Sequence, residues 1–295
     1  GGFMRKFLIT IVSLLLIGVL FVMAASTGIL PVDIPSLKQT RPITQVSPIY
    51  NELASEEHLI LDLDGTLLVN NAVGKIVVQG ADVDNVDVRV VKRARSKPGT
   101  AADLLSQITV ETANTPESTT ITTHVPQTTG SEQAYVDLYV TVPTELELNL
   151  HTGLGQVEVE RIQGSLRIQS DLGAVKISHF TGDAAVEAAL GAVEIRSSNF
   201  ERELLVITHL GDVSISGCLG ETTLIENKLG NVTLHLPQEE SYAVEAQVSL
   251  GSFSSNLPFR GEQSSSSVRG IIGSGEQVGS LLITLDLGSL VINHQ

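Results

Sequence analysis

Six times from Leu154 onward the chain spells Leu-Gly followed by apolar residues at alternate positions, and a seventh copy, at Leu250, keeps the first of them. LGQVEVE begins at Leu154, LGAVKIS at Leu172, LGAVEIR at Leu190, LGDVSIS at Leu210 and LGNVTLH at Leu229, with LGSFSSN at Leu250 and LGSLVIN at Leu287. Successive starts are 18, 18, 20, 19, 21 and 37 residues apart. Alternation with a period of two describes a strand with one buried face. A unit this short cannot bury that face alone, so the copies must stack and share a core.

A second, weaker strand lies within each unit. GSLRIQS starts at Gly164 and GDAAVEA at Gly182, each nine residues after a Leu-Gly glycine, and Gly220 follows Gly211 by the same interval. Two short strands and two corners per 18–21 residues describe one coil. The expected fold is therefore all-β, a single-stranded-type β-solenoid (β-helix) preceded by one N-terminal transmembrane helix. The structural corners are assigned to Gly65, Gly74, Gly155, Gly164, Gly173, Gly182, Gly191, Gly211, Gly220, Gly230, Gly251 and Gly288. Glycine suits a corner that needs positive φ or a close backbone approach.

Stacking predicts columns. Glu158, Lys176 and Glu194 each stand third after a repeat glycine and should form an alternating charge ladder, about 4.8 Å per step. Cys218 occupies by count the slot of Ile162 and Phe180, which reads as a buried small apolar residue. The 37-residue interval reads as a coil carrying a Ser/Gly-rich surface loop at 262–280. The final LGSLVINHQ has no polar cap, so the solenoid end is expected to expose strand edges open to self-association.

The rest of the chain divides around this body. Phe7–Ala25 is an uncharged run of 19 residues behind Arg5 and Lys6, close to the ~20 needed to span a bilayer. It is longer than the ~7–15 of a signal-peptide core, which favours an anchor over a cleaved leader; both readings export the body. Residues 1–28 are thus a membrane anchor and 29–56, with Pro31, Pro35, Pro42 and Pro48, an extended tether. Residues 57–150 form an irregular first part of the solenoid and 151–295 the regular part. Strands are expected at Leu59–Asp64, Leu67–Asn70, Ile76–Gln79, Val86–Val91, Ile108–Glu111, Thr119–Thr123 and Tyr135–Val142, with a helix at Ala101–Gln107. The Thr-rich stretch Glu111–Glu132 reads as a hairpin with a long polar loop.

Charge and composition narrow the function. With 18 basic and 33 acidic residues the net charge is -15, against a nucleic-acid partner. The single Cys218 excludes an intramolecular disulfide. One motif argues for chemistry: LILDLDGTL (Leu59–Leu67) resembles the first motif of the haloacid dehalogenase phosphatases, which would make Asp62 the nucleophile and Asp64 the acid/base. Gly65 and Gly74 nevertheless stand nine residues apart, like the repeat corners, and both open Gly-x-apolar-x-apolar runs. The downstream acidic pair and alternating helices of such an enzyme do not follow. The Asp-Gly reads as a turn before a strand.

The seven histidines show no paired ligand spacing, and Asp82, Asp84 and Asp87 read as a solvated acidic turn. The Asn231-Val232-Thr233 sequon falls inside the repeat. A polysaccharide-active β-helix enzyme would need carboxylates converging on one groove. The position after each repeat glycine holds instead Gln156, Ala174, Ala192, Asp212, Asn231, Ser252 and Ser289. No catalytic residue, metal or cofactor is expected.

Val136–Ile195, with a strand ending in Val142-Pro143 and then Gly-x-Val-x-Val coils alternating with Gly-x-Leu, resembles the bacterial β-solenoid surface proteins known as the "putative adhesin" family. Val86–Glu111 is similar to that family's strand–helix–strand segment. The resemblance implies an extracytoplasmic, non-catalytic module for adhesion or envelope interaction, held to the membrane by Phe7–Ala25, with a cell-surface glycan or protein as partner. An alternative is a homopolymerising envelope scaffold resembling bactofilins in architecture.

Overall fold

A computed structural model of the chain describes residues 50–295. Phe7–Ala25 and the tether up to residue 49 lie outside the described residues, among which no helix is long and apolar enough to cross a membrane. The described residues begin with β1 (Asn51–Leu61), β2 (Thr66–Val73), β3 (Ile76–Ala81) and β4 (Val86–Ser96). Helix α1 (Ala101–Ser106), β5 (Thr109–Thr115), β6 (Ser118–His124) and β7 (Gln133–Pro143) follow. The regular part contains β8 (Glu145–Leu154), β9 (Val157–Glu160), β10 (Gln163–Leu172), β11 (Val175–Ser178), β12 (Thr181–Leu190), β13 (Val193–Leu210), β14 (Val213–Cys218), β15 (Thr222–Leu229) and β16 (Val232–Leu236). The chain ends with β17 (Glu240–Ser255), β18 (Phe259–Gln263), β19 (Ser267–Gly273) and β20 (Glu276–His294).

The regular part is a stack of parallel rungs, each a longer strand, a Leu-Gly corner and a shorter strand. Leu166 lies beside Leu148 on one side and Ala184 on the other, and Ile177 beside Val159 and Ile195. Inward residues of both faces close a single core, buried to 2% exposure or less at Leu166, Ile168, Val175 and Ile177. The ladder continues around the corner. The N–H of Gly155 donates to the Leu172 carbonyl at 2.9 Å, that of Gly173 to Leu190 at 2.8 Å and that of Gly191 to Leu210 at 2.9 Å. Beneath the corner runs a column of small buried side chains, Asn71, Thr152, Ser170, Ala188, Thr208 and Asn227. Two of them tie back to corner carbonyls, Ser170 to Gly173 and Asn227 to Gly211.

The rungs do not stack in chain order. β2–β3 is flanked by β8–β9 on one side and by the later β6–β7 on the other. The C-terminal end shows the same inversion, with β20 seated between β15–β16 and β17. Leu290 has Val232 on one side and Phe253 on the other. The expectation that LGSLVINHQ ends the solenoid with open edges is therefore corrected: it is an interior rung.

Antiparallel strands extend both ends. β17 pairs with β19 and β19 with β18, so residues 262–280 are not a surface loop. Val268 and Ile272, at 2% and 0% exposure, carry inward apolar side chains that a solvated loop would not have. At the other end β7 pairs antiparallel with β4, and β4 with β1, while β5 and β6 form a hairpin. β1 begins at Asn51, so strand rather than tether occupies 51–56, and Asp62–Asp64 is a turn outside it.

Two further expectations change with register. β13 carries irregularities where it pairs with β12 and β14, as its longer repeat interval requires. Counting from the glycine then misplaces Cys218, which is partly exposed, while Leu219 (3% exposed) enters the core. Gly220 lacks a positive φ; in its coil Gly217 adopts φ +148° against the Ser198 carbonyl.

Gly173 combines φ +154° with a Cβ position 1.8 Å from the Gly155 carbonyl oxygen, so any side chain must separate two rungs. Gly173→Ala is expected to destabilise by about 3 kcal/mol or more, against about 1 kcal/mol for Gly99→Ala, whose Cβ meets nothing within 4 Å. Denaturant titration of both variants measures the difference.

Candidate functional site

The leucine of each repeat follows an outward-facing residue, so the alternation of the strand breaks there and both side chains reach solvent. Asp171 and Leu172 are both exposed, as are Lys228 and Leu229. In register these residues form a ribbon: Val73, Leu154, Leu172, Leu190, Leu210, Leu229, Leu287 and Leu250. The seven leucines are 43–67% exposed. Sequence reasoning used these leucines only as repeat markers. The readable signal was the apolar residue placed out of phase with the strand.

At its first rungs the ribbon runs into a groove of about 650 Å³ between Val73, Leu154 and the loop after β6. Val125 and Pro126 form one apolar wall, and Lys75, Glu132 and Tyr135 line the groove with polar groups. Lys176 stands in register between Glu158 and Glu194 as expected, but among the described residues no ion pair joins the three: Glu158 pairs with Lys75 Nζ at 2.9 Å and Glu194 with Arg196. Tyr135 belongs to a second feature, the outer face of β4 and β7. There Arg93 lies 5.9 Å from the Tyr135 ring centroid and donates to its hydroxyl, and Arg89 stacks over Tyr139 at 4.1 Å. Arg95 lies 5.3 Å from Tyr50. The hydrogen bond to Tyr135 holds the Arg93 guanidinium above its usual pKa. Arg89 is also 3.7 Å from Glu56, so this panel is polar and aromatic with only a modest positive excess.

The residues of the phosphatase-like letters do not converge. Asp62 and Asp64 are exposed in the turn before β2; Asn114 donates to the Asp64 carboxylate, and Thr119 donates to the Asp62 backbone carbonyl. Gly65 closes that turn at φ +62° against Glu117. Asp82, Asp84 and Asp87 stay exposed on the β3–β4 turn and strand start, and among the described residues no group of three His, Cys, Asp or Glu is placed to hold a metal ion. Asp212, Asn231, Ser289 and Ser252 form a lateral ladder: Asp212 accepts from the Asn231 N–H at 2.7 Å and Asn231 from the Ser289 N–H at 3.0 Å.

Three other groups depart from their ordinary protonation range, each for a structural reason. Burial, reinforced by Glu240, pushes the Cys218 thiol up, which opposes thiolate chemistry. Tyr242 is likewise raised by burial and by the Glu240 carboxylate, to which it donates. Burial alone would raise Asp183. It is nevertheless lowered, because it accepts from the backbone N–H groups of Arg202 and Glu203 and from the Arg202 guanidinium. Asp183 thereby satisfies the donors freed by the β12–β13 bulge.

A family model, Toastrack DUF4097, matches residues 66–284. The chain belongs to the Toastrack DUF4097 family. No curated protein matches it by sequence. Similar solved structures include a "putative cell adhesion protein" from Clostridium sporogenes, 14% identical at a TM-score of 0.39, covering 82% of this chain and 100% of that one. Another is a "putative adhesin" from Bacteroides fragilis, 13% identical at 0.43, covering 81% and 97%. A "putative lipid binding protein" from Parabacteroides distasonis is 13% identical at 0.31, covering 81% and 96%. The resemblance carried by Val136–Ile195 thus holds at the level of the family, and the matched span takes in the first inversion of this Toastrack chain and the second as far as Thr284.

Two substitutions separate structural from chemical carboxylates. Asp62→Asn is expected to leave the unfolding midpoint unchanged, and neither form should release phosphate from p-nitrophenyl phosphate with Mg²⁺. Asp183→Ala should cost about 1–2 kcal/mol at neutral pH through its lost charge-assisted hydrogen bonds. Because the folded-state pKa is lowered, that difference is present above the ordinary carboxylate pKa and vanishes as pH falls through the folded value.

Proposed function

We propose that this Toastrack protein is an extracytoplasmic, non-catalytic module for adhesion or envelope interaction, anchored in the membrane through Phe7–Ala25. The observation that carries this reading is the groove at the first rungs. Apolar surface from Val73, Leu154, Val125 and Pro126 meets polar groups at Lys75, Glu132 and Tyr135, with Arg93 bonded to Tyr135. A concave, mostly apolar site with few polar groups is the usual form of a binding pocket. Its partner on this reading is a cell-surface glycan. The ring of Tyr135 supplies a stacking surface, while Lys75 and Glu132 supply hydrogen bonds.

The reading needs no proton transfer or nucleophile. It assigns the raised thiol of Cys218 and the turn carboxylates Asp62 and Asp64 no part in binding. Sedimentation of residues 45–295 with purified cell walls tests it. Saturable binding is expected, weakened about tenfold by Tyr135→Ala, the scale of an aromatic anchor in an interface. Wall binding that Tyr135→Ala leaves unchanged sinks the groove assignment, and the absence of any saturable binding sinks the adhesion reading.

A further inference from the structure

We propose that the leucine ribbon is a self-association surface: two copies of this chain pack side by side in the membrane, ribbon against ribbon, antiparallel about a two-fold axis between Leu190 and Leu210. Leucines repeating at the strand spacing of about 4.8 Å share the pitch of an identical ribbon, so each can meet an apolar residue of the other copy rung for rung. A two-fold contact uses the same patch on both partners, which a ribbon of like residues provides.

Area sets the strength. Seven leucines at 43–67% exposure, with Ala189 and Ala192 beside them, offer roughly 500–600 Å² per copy, at the small, reversible end of specific interfaces. A contact of that size suits molecules concentrated in one plane, as the proposed anchor would place them.

Charge decides the orientation. One flank of the ribbon reads, in stacking order, Ala72, Gly153, Asp171, Ala189, His209, Lys228, Asp286 and Ser249. In the antiparallel arrangement this flank faces its own copy in reverse. Asp171 of each molecule then lies opposite Lys228 of the other, at two equivalent places. Both are exposed, and neither has an ion-pair partner among the described residues. Ala189 faces His209, and Gly153 faces Asp286, so no like charges meet. A parallel pair would set this flank against the other one, placing Asp171 opposite Ala174 and Lys228 opposite Asn231. Neither charge would then be matched.

The test uses the full chain in membranes, with Cys218→Ser as background. Leu172→Cys in one tagged copy and Leu229→Cys in another should form a heterotypic disulfide. Leu172→Cys alone should not, because two copies of that position lie about three rungs, or ~14 Å, apart, beyond disulfide reach. Lys228→Asp should reduce the heterotypic yield about tenfold, and adding Asp171→Lys should restore it. Homotypic cross-linking at equal yield, no heterotypic product, or a yield indifferent to the charge changes would each overturn the proposal. Val73 and Leu154 belong to both surfaces, so the proposals are told apart by residues found in only one: Tyr135→Ala should weaken wall binding and leave the disulfide yield unchanged, and Lys228→Asp should do the reverse.

Discussion

The backbone hydrogen bond that passes through each glycine corner is the contact on which the rest of the molecule depends. In most β structure the ladder stops where a strand bends. Here the Gly173 N–H reaches the Leu190 carbonyl at 2.8 Å, the Val175 N–H reaches Ala192 at 2.9 Å, and pairing resumes without a gap. A corner with a side chain would hold neighbouring rungs apart, since a Cβ at Gly155, Gly173 or Gly191 falls about 2 Å from the carbonyl of the glycine below. Stacked glycines therefore fix the rise of the whole body at the strand spacing. Every column, buried or exposed, inherits that rise.

Stacking creates the problem of ends, and the chain solves it by returning on itself. A solenoid wound in simple chain order would leave its first and last rungs at the edges, with unpaired N–H and C=O groups. Here the rung 66–81 and the rung of β20 are both slotted one place inward, so each edge is taken by a rung that continues into antiparallel strands. At one end these are β1, β4 and β5, at the other β18 and β19. Of these, β5 and the β18–β19 pair are added by short hairpins, which only antiparallel strands allow without another full coil. At the second tip only Ser241–Gln247 of β17 gains such a partner, while Gly251–Ser255 pairs on one side alone.

These same facts explain what the amino-acid sequence could reveal. The parallel stack was legible because Leu-Gly-x-apolar-x-apolar is a local pattern, and the register that sets Lys176 between Glu158 and Glu194 followed from counting, though the ion pairs formed elsewhere. Counting failed at the first bulge: after β13 each position slips, and Leu219 rather than Cys218 enters the core. Rung order was not legible, because Leu290 reads as a repeat residue whether Phe253 or solvent lies beyond it. The hairpin at 259–273 was masked by its serines and glycines; its apolar Val268 and Ile272 become strand only because β17 offers an edge. For the groove the sequence held no marker, since Val73 and Val125 are far apart in the chain and meet only through the inversion.

The bulge at β12–β13 shows how such a body tolerates insertion without losing its register. Two extra residues in one coil would leave backbone donors with no carbonyl below them, at a cost of about 1–3 kcal/mol each if unmet. Asp183, one rung below, accepts from both Arg202 and Glu203, and the pairing is regular again by Ala184 and Leu204. The error is thus absorbed within one rung on one face, and Leu190 still lies beside Leu210 at the next corner. A repeat whose interval drifts from 18 to 21 residues can keep a straight column of leucines only if each addition is cancelled locally in this way. The continuity of the ribbon across rungs of unequal length is therefore a consequence of where the insertions sit, in strands and at the far corner, and never at Leu-Gly.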